Sequence, residues 1–463
     1  MHRAAALFAV FALVSVAATT GDARLRNSHR KAEQNGWIYV HLEGSPADIG
    51  YQHGYWLAKE IEDAQIALAA ELKHDTGKEY SFWRDAAKNM LWPKIDQEYR
   101  DELQGIADGV ATKGVKLDVW DIVVINASIE LGSYYNNWYD KQHGTKDAKK
   151  PANADRCSAF IATGSFTKDG KIIVAHNNWS SYVDGERWNI MFDIVPAKGY
   201  KFLMDGMPGW IHSGDDFGMN TAGIVITETT ISRFQGFDPN GVPEFVRARK
   251  AMQYSASIDD FVRIMKDGNN GGYANNWLVA DRNTNEIADV ELGLKNVNVR
   301  RTKDGYYVGT NFPVNPKLAS EETEFDLKDM SQSPNARRVR AESLIESNKG
   351  KIDVAFAKKY LSDHFDSYAK TTDPNERTLC GHIDLSPRGV EAWQPPYGPA
   401  GAVQAKVADA NMAAKMTLEA SMGHPCGIHF KAAQHLAKHP ELAWQKDILK
   451  DLPSHPWTRF KSE

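Results

Sequence analysis

At Cys157 the hydrophobic period of the chain changes, and that change constrains the fold more than any other feature. Before it, Leu57, Ile61, Ala64, Leu68 and Leu72 recur at helical spacing. Ser45-Pro46-Ala47-Asp48 opens this stretch with an N-cap serine, a proline at the first helical position and an acid closing a capping-box pattern. Helix-like sequence continues over residues 83–109 and 117–131, so the first part reads as mainly helical. From Cys157 onward, strand-length runs flank tight turns. Residues 159–164 and 171–175 flank Lys168-Asp169-Gly170, and 188–195 and 200–204 flank Ala197-Lys198-Gly199. Residues 277–280 and 287–292 flank Asn283 to Asn285, and 297–301 and 306–309 flank Lys303-Asp304-Gly305. Consecutive hairpins predict antiparallel sheet. Helical pattern returns at 259–266, 336–347, 354–365 and 409–422. Strands and helices are grouped rather than alternating one by one, which predicts an α+β fold and argues against a doubly wound parallel sheet.

The polar stretch 141–156 is the best boundary, dividing a helical segment (24–156) from a second region (157–463); a weaker one falls in the Pro/Gly-rich residues 393–401. At the start of the chain, Arg3 precedes an uncharged run over residues 4–18 followed by small residues, the pattern of a signal peptide spanning 1–23. The run is shorter than the roughly 20 apolar residues a bilayer core requires. No later segment is long and apolar enough to span a membrane. The expectation is a soluble protein of the secretory pathway, secreted or held in a lysosomal or endosomal lumen. With 55 Lys+Arg against 60 Asp+Glu and no basic block, the chain offers no field to gather phosphates along a backbone, so nucleic acid is not expected as a partner.

Three cysteines in a chain of this length exclude a disulfide-built scaffold, so each is considered singly. Cys157 stands at the start of the strand-like run Cys157-Ser158-Ala159-Phe160-Ile161. Cutting the Arg156–Cys157 bond would make it a chain terminus whose own α-amine, with an ordinary pKa near 8, is a base at short range. His176-Asn177-Asn178-Trp179 ends the next strand of the same hairpin. The segment from Ser213 (SGDDFGMNTAGIVITETT) runs through a polar turn into a strand finishing on Glu228-Thr229-Thr230, and Asn275-Asn276-Trp277 opens another strand after a glycine-rich run. An amide at a strand start suits the stabilisation of a developing oxyanion, being uncharged and held by sheet backbone. Glu228 is given no role.

The order CSAF, HNNWSSY, SGDDF with ETT, then a glycine-rich run into NNW and VAD resembles the phospholipase B-like proteins, and more broadly the penicillin acyltransferase group of self-cleaving N-terminal-nucleophile (Ntn) hydrolases. The resemblance extends from about Leu42 to Trp457, taking in Gly50-Tyr51-Gln52-His53-Gly54 and Gly423-His424-Pro425-Cys426. It implies an αββα sandwich, autocatalytic cleavage between Arg156 and Cys157, and hydrolysis of an amide or ester acyl bond through a thioester. No cofactor is implied. Cys157 matches the nucleophile, His176 and Trp179 the HxxW motif, Thr229 or Thr230 the ETT threonine, and Asn275 or Asn276 the oxyanion asparagine. NNW lacks a residue found before the tryptophan in the family pattern, so both asparagines stay open. Asn177, Trp179, Asp216 and Trp277 are expected to wall the substrate pocket. The substrate class implied is a small acyl compound, phospholipid or N-acyl amide, acted on by a two-chain protein whose segments stay together after cleavage. The alternative is a non-catalytic secreted protein of the same fold that binds lipid or a partner.

Cys380 and Cys426, left over in a secreted chain, are expected to form a disulfide. His382, His424, His429, His435 and His439 crowd the same regions, but there is no HExxH and no paired CxxC, so no metal is expected. Asn126-Ala127-Ser128 and Asn178-Trp179-Ser180 fit the glycosylation sequon; Asn126 is the expected site, the second being too enclosed.

Overall fold

The computed structural model describes residues 22–144, 157–214, 217–390 and 393–463. The expected signal peptide, the linker residues up to and including Arg156, and Asp216 thus lie outside the described residues, Asp22 and Ala23 and the linker's first residues apart. Strands in chain order are β1 (His29–Arg30), β2 (Ile38–Gly44), β3 (Ser158–Thr163), β4 (Ile173–Ser181), β5 (Ile190–Pro196) and β6 (Phe202–Gly206). Next come β7 (Gly218–Asn220), β8 (Ile224–Thr230), β9 (Asn275–Asp281), β10 (Glu286–Leu292), β11 (Val297–Thr302) and β12 (Gly305–Gly309). The last are β13 (Phe365–Asp366), β14 (Thr371–Thr372), β15 (Ala400–Asp409), β16 (Thr417–Met422) and β17 (Thr458–Lys461).

Two large sheets form, in the orders β1-β2-β5-β6-β7-β8-β9-β10-β11 and β12-β3-β4-β15-β16-β17, with β13 and β14 a separate short ladder. Alternation along each strand sorts apolar residues into separate cores, three of which define the layers. Ala159, Ile161 and Val174 of one sheet meet Leu203, Met219, Val225 and Leu278 of the other, so the two sheets pack face to face. Phe160, Ala162, Ile173 and Ala175 point the opposite way, against Ala341 and Ile345 of helix Ser333–Ser347 and Tyr360 of helix Val354–Leu361. On the far side, Phe192, Met204, Ile226 and Val279 pack under Phe245 of helix Glu244–Tyr254 and Phe261 of helix Ile258–Lys266. The layers therefore run helix, sheet, sheet, helix, the α+β sandwich that the sequence led us to expect.

Three of the four expected hairpins are present, as β3–β4, β5–β6 and β9–β10. The fourth is corrected: β11 pairs with β10, while β12 pairs with β3. Lys303 and Asp304 carry the chain from one sheet to the other, where Asp304 accepts a hydrogen bond from Ser165 N at 2.6 Å. A turn signal fixes a reversal of direction but not the sheet the chain enters next. The helix expected over 409–422 is likewise only Ala410–Ala414, followed by β16, because Leu418, Ala420 and Met422 alternate into the inter-sheet core.

The first segment is mostly helical, yet it gives β2 to the nine-stranded sheet, in parallel pairing with β5. Helix Pro46–Trp56 starts as expected, with Ser45 Oγ accepting from Asp48 N and Asp48 accepting from Ser45 N, each at 3.3 Å. This helix lies directly on helix Gln97–Ala111 at four glycines. A Cβ on Gly50 or Gly54 would fall 1.9 or 2.1 Å from the Glu102 or Ile106 carbonyl oxygen, so no side chain fits at the crossing. Buried polar links tie the segment to the rest. Arg249 pairs with Glu102 at 2.9 Å, and Asn126 donates to Gly209 O at 2.8 Å and accepts from Ile211 N at 2.8 Å. His53 Nε2 accepts from Gly209 N at 2.9 Å, and burial draws the His53 imidazole down to about 3, so it is neutral.

Candidate active site

Register places the chemistry at the start of β3. Ser158 pairs with Asn177 and Ala159 with His176, which brings the HNNW motif beside Cys157. Within β4, His176 and Asn178 alternate with Val174 on the inter-sheet side, whereas Asn177 and Trp179 share the face of Ile173 and Ala175. The contacts follow that division. Asn178 Oδ1 lies 3.9 Å from Cys157 Sγ, and the His176 ring stacks on Phe217 with centroids 6.3 Å apart. Asn177 instead donates to the carbonyls of Leu361 and Leu379 at 2.7 and 3.0 Å.

Cys157 is 1% exposed, and its φ of +87° lies in the left-handed region, a conformation that is strained for a residue with a Cβ by about 1–3 kcal/mol. Its sulfur, a ring nitrogen of His176 and a carboxylate oxygen of Glu228 all lie within 4.8 Å of one another. Its carbonyl accepts from Arg337 Nη1, and that fully buried guanidinium also donates to Ser158 Oγ at 3.2 Å, Asn311 Oδ1 at 2.8 Å and Ser333 Oγ at 2.9 Å. Asn311 in turn donates to Thr230 O at 2.9 Å. A buried charge serving this many acceptors holds the Cys157 main chain in place, since leaving them unmet costs about 1–3 kcal/mol each.

Around this centre the two open asparagines part. With its amide oriented to satisfy its neighbours, Asn275 donates to Glu228 at 2.9 Å, and Tyr273 donates to the other Glu228 oxygen at 2.7 Å. Asn276 donates to Asp289 at 3.4 Å, and burial pushes that carboxyl up while Arg300 pulls it back. Thr229 packs against Gly309, where a Cβ would come within 2.6 Å of its methyl group, and Thr230 is linked through its carbonyl to Asn311. A second buried network flanks His176. Its β15 partner, Lys406, pairs with Asp205 at 3.1 Å, both side chains being inaccessible to solvent, and donates to Gln404 at 2.8 Å. Ser213 Oγ donates to Asp205 at 3.1 Å and accepts from Phe217 N at 3.0 Å, so the SGDDF segment is fastened to this pair.

Several expected roles change. Trp179 does not wall the site: it sits on the outer face of β4, where a Cβ on Gly381 would meet its ring at 2.1 Å, and the Arg337 guanidinium lies 4.3 Å from the ring centroid. Asn177 is engaged on the same outer face. Trp277 is fully buried under Phe261, 5.4 Å between centroids, as a core residue. Asn126, expected to be glycosylated, is 3% exposed with its amide bonded to Ile122 O, Gly209 O and Ile211 N, which leaves it no access to a glycan. Cys380 and Cys426 are brought together as free thiols rather than a disulfide. Sequence reading passed over Glu228, although it is the first letter of the ETT motif, and Lys406, whose signal was a lone cation in the apolar strand Ala402-Val403-Gln404-Ala405-Lys406-Val407. Arg337 carried no local signal, since its helix has no clear apolar stripe from which a buried cation would stand out.

A cavity of about 620 Å³ opens between the first segment and the sandwich, lined by Leu68, Leu72, Ile129, Trp188, Trp210 and Trp393 among others, with Glu71, Ser181 and Asp184 as polar groups. Trp188 ties its wall to the buried Asp205–Lys406 network: its Nε1 donates to Ser213 O at 3.1 Å, and its carbonyl accepts from Gln404 at 2.9 Å, while Cys157, His176 and Glu228 do not line the cavity. No helix among the described residues is long and apolar enough to cross a membrane.

Comparison with known proteins gives these likenesses. The Phospholipase B family model matches residues 73–289. Phospholipase B-like protein C of Dictyostelium discoideum is 25% identical over 54% of this chain and 51% of its own length. Human phospholipase B-like 1 is 24% identical over 75% of this chain and 65% of its own. The chain thus spans about half to just under two thirds of these curated relatives. Among solved structures, a variant of the conjugated bile acid hydrolase from Clostridium perfringens matches with a TM-score of 0.34 and 14% identity, over 57% of this chain and 89% of that one. Over residues 73–289, the sequence of this chain is similar to the phospholipase B-like proteins, as the motifs around Cys157, His176 and Glu228 led us to expect.

Proposed function

We propose that the protein is an acyl hydrolase that cleaves an amide or ester bond through Cys157, after the chain is cut between Arg156 and Cys157. The observation that carries this reading is the state of Cys157: a buried thiol on strained backbone, its carbonyl gripped by Arg337, its sulfur grouped with His176 and Glu228. Strain of this kind persists only where the surroundings impose it, and at a scissile residue it favours the cut.

In the maturation step, Cys157 Sγ attacks the carbonyl carbon of Arg156 and the acyl group passes from nitrogen to sulfur. Water then hydrolyses the thioester, releasing the Arg156 carboxylate and leaving Cys157 with a free α-amine. Residues 24–156 remain bound, held by β2, the Glu102–Arg249 pair and Asn126. In turnover, the amine takes the thiol proton as the sulfur attacks the substrate carbonyl and returns it to the leaving group; water, deprotonated by the same amine, then attacks the thioester, releasing the carboxylic acid and restoring the thiol. Asn275, positioned by Glu228, is the oxyanion donor, a contribution of about 3–4 kcal/mol to the barrier. His176 orients the thiol and amine. The reading of Asn275 over Asn276 rests on its place beside Glu228, which is grouped with Cys157 and His176; both amides have partners, Asn275 in Glu228 and Ala274 O at 2.9 and 3.0 Å and Asn276 in Asp289 at 3.4 Å.

The cavity lining, apolar with a few polar groups, would suit the acyl chain of a phospholipid or N-acyl amide alike, but Cys157, His176, Glu228 and Asn275 are not among its lining residues. It is walled partly by helix Ala58–Thr76 of the first segment, so a bound first chain is needed to shape it. A secretory signal over residues 1–23 would deliver the protein to a luminal or extracellular compartment. The test is incubation of purified protein with long-chain N-acyl amides and with phosphatidylcholine, followed by peptide mass mapping after an acid quench. An acyl group on Cys157, lost on hydroxylamine treatment and absent from Cys157→Ala, is the expected result. An intact chain that binds these lipids without acylating or hydrolysing them would replace the enzyme with a lipid-binding protein.

A further inference from the structure

On the outer face of β4, behind Trp179, a second group of side chains has ligand chemistry. His364, Cys380, His382 and Cys426 each offer one donor atom, and the four atoms lie within 4.8 Å of one another. They come from three separate stretches: the turn after helix Val354–Leu361, the loop running on to Ile383, and the turn after β16. We infer that these four residues form a structural zinc site.

The geometry at His382 carries the inference. Its Nε2 lies 3.5 Å from Cys380 Sγ and 3.4 Å from Cys426 Sγ. A tetrahedral zinc with ordinary Zn–S and Zn–N bonds places a nitrogen ligand and a sulfur ligand about 3.6 Å apart. One imidazole N–H cannot point at two sulfurs at once, whereas one Nε2 lone pair and two thiolates aimed at a common centre satisfy all three groups. The fourth donor is His364 Nε2, buried and without a hydrogen-bond partner, with its ring 5.1 Å from that of His382. A disulfide between the cysteines would leave both imidazoles facing sulfurs that need no donor.

The surroundings match as well. The Asp384 carboxylate stands on the far side of the ring, 3.8 Å from His382 Nδ1, and is itself held by Tyr182, which donates to the same oxygen at 2.7 Å; a small shift would bring it into the supporting position that a metal-bound imidazole uses. Cys380 and His382 are fully buried. Two thiolates balance the charge of one zinc ion, with release of two protons on binding, so the loaded site is neutral and tolerates burial. Its place in the fold gives it a purpose. Gly381 lies between two ligands and against the Trp179 ring, so a metal there would clamp the outer wall of the strand that carries His176.

The experiment uses the full chain purified without added metal, chelator or reductant. Elemental analysis should find one zinc per chain, with Cys380 and Cys426 both alkylated by iodoacetamide after denaturation in chelator. Exchange into cobalt(II) should give thiolate-to-cobalt charge transfer and the strong visible bands of a tetrahedral site. His364→Ala and Cys380→Ser should each lower the metal content at least about tenfold, while Cys157→Ala keeps it. Where a variant fails to fold, the cobalt spectrum of the parent decides. A metal-free parent, a peptide pair joined through Cys380 and Cys426, or a cobalt spectrum without sulfur ligation would each overturn the inference.

Discussion

The two faces of β4 carry similar chemical groups and put them to different use. Toward the other sheet, His176 and Asn178 meet one cysteine on strained backbone together with a carboxylate. Away from it, Trp179 and Asn177 meet the loop that carries Cys380 and His382, where Cys426 from the turn after β16 joins Cys380 around the His382 imidazole. The first arrangement has a single sulfur, a neighbouring base and a held main chain, which are conditions for bond making. The second has no strained residue and satisfies its donors by convergence, which is the condition for a fixed scaffold. Four consecutive residues, His176 to Trp179, serve both because successive side chains of a strand point to opposite sides.

The sharpest way to break this comparison is substitution at Cys157. Cys157→Ala should lower acyl turnover at least about a thousandfold while leaving the melting temperature unchanged, whereas Trp179→Phe should lower stability and alter turnover only a few fold. Loss of turnover in Trp179→Phe at unchanged melting temperature would place the outer face in the chemistry. Next in size, Asn275→Ala should reduce kcat by about 100- to 1000-fold. Asn276→Ala, which strips a donor from buried Asp289, should instead cost about 1–3 kcal/mol of stability with kcat nearly intact. The opposite pattern would move the oxyanion role to Asn276.

A buried carboxyl outside both clusters sharpens the contrast with Glu228. Burial raises Glu130 to about 7, although Arg247 beside it and the Glu244 amide pull it back. An unfolded glutamate ionises near 4.3, so between about pH 4.5 and 7 the unfolded chain gives up a proton that the folded chain keeps. The contribution of this group therefore falls as pH rises through that window, by about 3 kcal/mol in all. Glu130→Gln should gain on the parent by about 2.5 kcal/mol of this between pH 5 and pH 8, read as the difference between their denaturation curves. The difference is the proper readout because buried His53 works in the other direction, losing its contribution as pH falls from about 6.5 toward 3. The smallest effect is expected of Asn177→Ala, which removes one hydrogen bond to the end of helix Val354–Leu361 and one to the outer loop: about 1–3 kcal/mol of stability, with kcat/KM unchanged.

The period change at Cys157 made the α+β class and three hairpins legible, because strand alternation and tight-turn residues are local signals. The partner sheet of β12 was not legible, since pairing with β3 depends on where residues 303–304 lead the chain in space. Motif order brought Cys157, His176 and the Glu228-Thr229-Thr230 strand end together correctly, but membership of a motif said nothing about which face a residue occupies. Counting by two from Val174, a core residue by composition, would have put Asn177 and Trp179 opposite His176. Arg337 was invisible for another reason: it reaches Cys157 from a distant helix, and only the fold sets that distance. Asn126 shows that a sequon reports three residues, whereas glycosylation requires an exposed amide.

The central claim is that Cys157 becomes the amino-terminal nucleophile of a second chain. Intact mass with amino-terminal sequencing, on purified protein held for a day at pH 5 and at pH 7.5, tests it most directly. Two associated chains, the second beginning Cys-Ser-Ala-Phe, with Cys157→Ala remaining whole, is the result the account predicts. A single uncut chain at both pH values, in a preparation that still hydrolyses an acyl substrate, would contradict it.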